Sequence, residues 1–125
     1  MVRIFIVDDD QSLQRLYILI LKEAGFEIID TAFNGKIAVE KYAALKVKPD
    51  IILMDHRMPI KNGLDAMTEI LQLGGEGKII FASADVSIKQ KALSMGACEF
   101  LDKPFNMNKL LNTIQKVVKE LVIDH

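Results

Sequence analysis

Short apolar runs alternate with longer segments of helical spacing along the whole chain. Residues 4–7 form the first run, and Asp8, Asp9 and Asp10 follow it directly. A short apolar run bounded by polar residues predicts a strand covered on both faces. Leu13, Leu16, Tyr17, Ile20 and Ala24 then recur at a helical interval, with Asp10 placed to cap the helix and Gly25 to end it. Residues 27–33 predict a second strand, weakened in pattern by Asp30 and Thr31, and Asn34-Gly35 turns the chain. Ala38, Tyr42 and Leu45 mark a second helix that ends before Pro49. Residues 51–54 are a third apolar run, and it terminates in an acid, Asp55. A loop holding Met58-Pro59 and Asn62-Gly63 leads to a third helix through Leu64, Met67, Ile70 and Leu71, closed by Gly74-Gly75. Residues 78–82 predict a fourth strand ending at Ser83; Ile88, Ala92 and Met95 mark a short fourth helix stopped by Gly96. Residues 99–101 are a fifth strand running into Asp102-Lys103-Pro104. The last helix carries the clearest stripe, Met107, Leu110, Leu111, Ile114, Val117, Val118 and Leu121, and leaves His125 at the terminus.

Strands that alternate with helices require crossover connections, and right-handed crossovers make the sheet parallel with helices on both faces. The expected fold is α/β, a flavodoxin-like doubly wound sheet of five strands in the order 2-1-3-4-5 with five helices. Strand order then reverses between strands 1 and 3, where open sheets of this kind bind ligands beyond their carboxyl ends. Asp8, Asp9, Asp55, Ser83 and Lys103 all fall on that rim. The methionines at 54, 58, 67, 95 and 107 read as packing.

Bulk composition narrows the classes of function. A length of 125 residues suits one domain spanning 1–125. Sixteen basic residues against seventeen acidic ones leave a net charge of −1, which argues against nucleic acid as the main partner. Cys98 is the single cysteine, so an internal disulfide is excluded and a reducing compartment is expected. The apolar run at the N-terminus is followed by three aspartates instead of a small-residue cleavage site, and no stretch approaches a membrane span. The expectation is a cytoplasmic protein with no membrane partner.

Three carboxylates on one rim repel. At about 4 Å and an effective dielectric near 20, each pair costs roughly 4 kcal/mol. A hard divalent cation with oxygen ligands is the natural counter-charge, and Lys103 supplies a second one. Cation, ammonium and a hydroxyl around one carboxylate make a site suited to a phosphoryl group, with Asp55 as nucleophile. His56 has no second ligand at a useful spacing and reads as a surface residue facing partners.

Four segments together resemble one family, the receiver domain of two-component response regulators. They are Val7-Asp8-Asp9-Asp10; Leu53-Met54-Asp55-His56-Arg57-Met58-Pro59 with Asn62-Gly63; Phe81-Ala82-Ser83-Ala84; and Phe100-Leu101-Asp102-Lys103-Pro104-Phe105. Each is weak alone, but their order and spacing cover essentially the whole chain. The resemblance implies a signalling switch, not an enzyme with another molecule as substrate. It implies that Asp55 accepts a phosphoryl group from a sensor histidine kinase or phosphotransfer protein. Asp8, Asp9, Asp55 and the backbone carbonyl of Arg57 would bind Mg²⁺, and Lys103 would pair with Asp55 and then with the phosphoryl group. Ser83 would hydrogen-bond a phosphoryl oxygen, Phe100 would be the switching aromatic, and the Lys103-Pro104 bond would be cis. Output would pass to a protein partner through the surface of helix 4, strand 5 and helix 5, a face through which the family also forms homodimers. Arg57 and Asp85, two residues beyond Asp55 and Ser83, would flank the mouth with opposite charges and could form a gate.

Two other classes share parts of this pattern. A phosphohydrolase of the haloacid-dehalogenase type places a second acid two residues after its nucleophile; here that position is Arg57, and 125 residues leave no room for a cap domain. A flavin carrier on the same fold needs a phosphate-binding loop after strand 1, where this chain has acids that repel phosphate.

Overall fold

The computed structural model describes residues 1–123. His125 lies outside the described residues. Five parallel strands form one sheet in the order β2-β1-β3-β4-β5. They are β1 (Arg3–Val7), β2 (Glu27–Ala32), β3 (Ile51–Asp55), β4 (Lys78–Ser83) and β5 (Glu99–Asp102). The connecting helices are α1 (Gln11–Glu23), α2 (Gly35–Ala44), α3 (Gly63–Gln72), α4 (Lys89–Met95) and α5 (Met107–Ile123), with a single 3-10 turn over Val86–Ile88 before α4. This is the expected flavodoxin-like order. No described helix is long and apolar enough to cross a membrane.

Alternation along the strands divides the core. Phe5, Val7, Ile52, Met54, Ile79 and Phe81 face α2, α3 and α4, against Ala38, Tyr42, Leu64, Met67, Ile70 and Ala92. Ile4, Ile6, Ile51, Leu53, Ile80, Ala82 and Leu101 face α1 and α5, against Tyr17, Leu21, Leu110, Ile114 and Val117. Burying a side chain of this size stabilises by roughly 1.5–3 kcal/mol, so β1, β3 and β4 anchor the fold.

Helix starts are built by short polar side chains. Asp10, Asn34 and Asn62 accept hydrogen bonds from Leu13 N, Ile37 N and Asp65 N at 3.0, 2.8 and 2.9 Å. Asn34-Gly35 is therefore the opening of α2 and not a separate reverse turn. Gly63 opens α3 so close to β3 that a Cβ there would overlap the Asp55 carbonyl oxygen.

The α1 face differs from the sequence expectation. Leu16 is 41% exposed and Ala24 is also at the surface, while Gln14, Tyr17 and Leu21 are buried. The reason is polar. Gln14 Nε2 donates to Asp8 O at 3.2 Å and Ala32 O at 3.0 Å, satisfying carbonyls at the ends of β1 and β2. These two hydrogen bonds hold Gln14 on the buried face of α1.

Candidate functional site

Asp8 follows β1 directly, while Asp55 and Ser83 are the last residues of β3 and β4. Lys103 follows β5. Parallel pairing brings these ends to one rim, and side chains up to 95 residues apart in sequence touch. Lys103 Nζ donates to Asp8 Oδ2 at 3.0 Å and to Asp55 Oδ1 at 3.2 Å. The side chain of Asp8 is 2% exposed, that of Asp55 8% and that of Lys103 20%. Asp8 is also fixed by the Asp10 amide, which donates to Oδ1 at 2.9 Å. Asp9 is exposed, and ligand oxygens of Asp8, Asp9 and Asp55 lie within 4.8 Å of one another.

One ammonium does not neutralise this cluster. Burial, then the neighbouring Asp8 charge, push Asp55 up to about 7 against the lowering effect of Lys103. Burial raises Asp8 as well, opposed by the Asp10 amide and Lys103. Lys103 is raised: burial disfavours its charge, but Asp8 and Asp55 together outweigh that. Clustered carboxylate oxygens with charge to spare fit a hard divalent cation such as Mg²⁺.

Ser83 is 2% exposed, and its Oγ accepts from the Asp85 amide at 3.0 Å. The hydroxyl proton is left to donate elsewhere. Across the mouth, Arg57 Nη2 donates to Asp85 Oδ2 at 3.0 Å, with side-chain exposures of 79% and 18%. The Asp85 carboxyl is held low, chiefly by the Ser87 hydroxyl and also by Arg57. A polar recess beside this pair is lined by Asp9, His56, Arg57, Met58, Asn62 and Asp85. The Lys103-Pro104 peptide is cis.

One residue sits differently from its sequence reading. His56 is half-buried instead of facing outward. Its ring packs against Phe81 at 6.2 Å, its Nδ1 has no partner among the described residues, and burial lowers its pKa. Phe100 is half-buried, stacked on Phe81 with centroids 6.3 Å apart and planes 8° from parallel. These three rings link the loop after Asp55 to the surface near β5. Sequence reasoning also missed Gln14 and Tyr17 beside the cluster; burial, then Asp8, push the Tyr17 hydroxyl up. Residues 14, 17 and 21 keep helical spacing, so the signal was present but Gln14 is polar.

Comparison with known proteins agrees with this geometry. The model of the response regulator receiver domain family matches residues 4–115. The chemotaxis protein CheY of Thermotoga maritima is 40% identical over 94% of this chain and 98% of its own length. CheY of Borrelia burgdorferi, solved in complex with CheX, BeF₃ and Mg²⁺, is 30% identical, with a TM-score of 0.88 over 94% of this chain and 89% of that one. The regulator TrrA of Thermotoga maritima, solved with Mg²⁺ and beryllofluoride, is 33% identical, with a TM-score of 0.82 over 94% of this chain and 99% of that one.

Proposed function

The chain belongs to the response regulator receiver domain family, whose members are phosphorylation-activated signalling switches, and on that premise we propose that Asp55 is its phosphoacceptor. The observation that carries this reading is the Lys103 ammonium shared between Asp8 and Asp55 at 3.0 and 3.2 Å, inside a cluster of three acids. We read residues 1–125 as one receiver domain whose catalysis is confined to its own phosphorylation and dephosphorylation. The donor is a sensor histidine kinase or a phosphotransfer protein.

Asp55 attacks the phosphorus of a phosphohistidine. The phosphorus–nitrogen bond breaks, its electron pair returns to the imidazole, and an acyl phosphate forms on Asp55. Asp8, Asp9, Asp55 and the Arg57 carbonyl are the groups assigned to Mg²⁺, which when bound offsets the repulsion of the acids and neutralises phosphoryl oxygens. Lys103 moves from Asp55 to the phosphoryl group. The Ser83 hydroxyl donates its free proton to a phosphoryl oxygen.

Movement at Ser83 reaches Phe81, two residues earlier in β4, and Phe100 stacked upon it. The face of α4, β5 and α5 then carries the output to a protein partner or a second copy. Phosphorylation transmits a signal only through contacts that differ between the two states of that face. Arg57 and Asp85 act as a gate that obstructs the water needed for hydrolysis.

Intact-mass spectrometry tests the assignment. Mg²⁺ with a small acyl phosphate should add one phosphoryl group to the protein, and Asp55→Asn should add none; unchanged labelling in that variant sinks the reading. Amide shifts on adding beryllofluoride should extend to Phe100 and α4, and shifts confined to the surroundings of Asp55 would remove the output face.

A further inference from the structure

Tyr17 is 1% exposed, and its hydroxyl has no hydrogen-bond partner among the described residues. The ring is accounted for. It joins the core on the α1 and α5 side of the sheet and stacks on Phe105, with centroids 6.2 Å apart and planes 3° from parallel. Phenylalanine would make the same contacts. A buried hydroxyl without a partner costs about 1–3 kcal/mol, so packing does not account for the oxygen.

Its surroundings point to the acid cluster. Gln14, one turn earlier on the buried face of α1, donates to Asp8 O at 3.2 Å. Phe105, on which the ring stacks, lies two residues after Lys103. Tyr17 and Lys103 border one cavity of about 310 Å³, with Leu13, Ala84 and Met107 in its walls. Burial first, then the charges of Asp8, Asp55 and Asp10, push the hydroxyl pKa up, so the proton stays on. An unpartnered O–H in the field of carboxylates is a donor in reserve.

Asp8 is the carboxylate that comes to need one. Its Oδ1 accepts from the Asp10 amide at 2.9 Å and its Oδ2 from Lys103 at 3.0 Å. The side chain is 2% exposed, so bulk water does not replace a lost donor. A phosphoryl group on Asp55 claims the Lys103 ammonium. We propose that Tyr17 is a positioning residue whose hydroxyl donates to Asp8 Oδ2 once Lys103 has turned to the phosphoryl group. The inference rests on Asp55 being the acceptor. An ionised carboxylate has about four acceptor sites, so a bound cation and this bond are compatible. The cavity gives both side chains room to shift, and the Phe105 stack couples the ring to the segment that bears Lys103.

Tyr17→Phe, alone and combined with Lys103→Ala, separates the resting state from the activated one. In chelator at pH 8, Tyr17→Phe should melt at or above wild type, because the hydroxyl has no partner to lose. A fall of more than about 2 °C means that the hydroxyl is already bonded and overturns the proposal. Lys103→Ala mimics departure of the ammonium, so in that background Tyr17→Phe should lower the melting temperature by about 4 °C. Additive effects of the two substitutions overturn the exchange. With Mg²⁺, Tyr17→Phe should bind beryllofluoride about tenfold more weakly than wild type, the loss of one hydrogen bond to a charged group. In wild type, the Cζ carbon resonance of Tyr17 should shift on adding beryllofluoride. A resonance that does not move overturns the proposal without requiring any variant to fold. Failure of beryllofluoride to bind wild type overturns the acceptor reading and the exchange with it. Equal binding by wild type and Tyr17→Phe overturns the exchange alone.

Discussion

Two ion pairs flank Asp55, and their lengths are the same. Lys103 meets Asp8 at 3.0 Å and Arg57 meets Asp85 at 3.0 Å. Their surroundings differ. The first pair has side-chain exposures of 20% and 2%, the second 79% and 18%. Within the protein, Lys103 works against desolvated acids, where each charge is costly to leave alone. In solvent, the Arg57–Asp85 attraction is screened and adds little to stability. Distance therefore does not measure what an ion pair does. The buried pair governs the chemistry and energetics of the acceptor, while the outer pair can matter only through access.

Five experiments break or sharpen this contrast. The largest effect is expected from Asp55→Asn, which should abolish phosphoryl labelling outright. Next comes Lys103→Ala, which leaves the acids without their ammonium. In chelator at pH 8 it should cost about 3 kcal/mol, the lower end for breaking a buried pair. At pH 5 the loss should shrink, because Asp55, with a pKa of about 7, is then protonated. Equal losses at both pH values in denaturant titrations would show that Lys103 stabilises by packing.

The third effect is the pH dependence of the wild type in chelator. Asp55 is raised from 3.8 to about 7, so between those values the folded state holds a proton that the unfolded state has released. The protonated acid favours the folded state at low pH, and that contribution is lost as pH rises through about 7. Lys103, raised above 10.5, stays charged throughout this window. Melting temperature should fall by roughly 4 °C or more between pH 5 and pH 8, and Asp55→Asn should flatten the profile. Asp9→Asn, which removes one repelling charge, should melt at or above wild type in chelator. A large drop in that variant would contradict the picture of mutual repulsion.

The smallest change in stability belongs to the outer pair. Arg57→Ala and Asp85→Ala should leave the melting temperature near wild type, yet each should speed dephosphorylation a few-fold. The double variant should be no faster than either single one. Additive rates, or no change in any of the three, would mean two independent solvated side chains and no gate.

Much of the fold was legible along the chain. The apolar runs at 4–7, 51–54 and 79–82 mark the central strands, and the polar residues that end them lie at the rim. Asp10 marks the start of α1 because capping is local chemistry, whereas Asn34 and Asn62, read as turn and loop residues, cap α2 and α3. The reading failed in part at α1, where Leu16 and Ala24 fit a helical interval but lie at the surface, while Gln14 and Leu21 join the expected Tyr17 in the buried set. Spacing alone cannot orient a helix when a polar side chain satisfies strand-end carbonyls. His56 was misread for a related reason, since its burial depends on Phe81, 25 positions away in sequence.

The sequence by itself determined the order of elements, the parallel sheet and the residue types on its carboxyl rim, because strand burial, capping and crossover handedness act over a few residues or one unit. Only the tertiary structure decided how the charges are shared. Positions 8, 55 and 103 lie at the carboxyl ends of three separate strands, and their distances set the division of one ammonium between two buried acids. It likewise decided that Ser83 accepts from the Asp85 amide, that Phe100 stacks on Phe81, and that Ile60 is held at a positive φ. Desolvation, ring packing and backbone strain depend on what surrounds a group in three dimensions, and the chain specifies that only once it has folded.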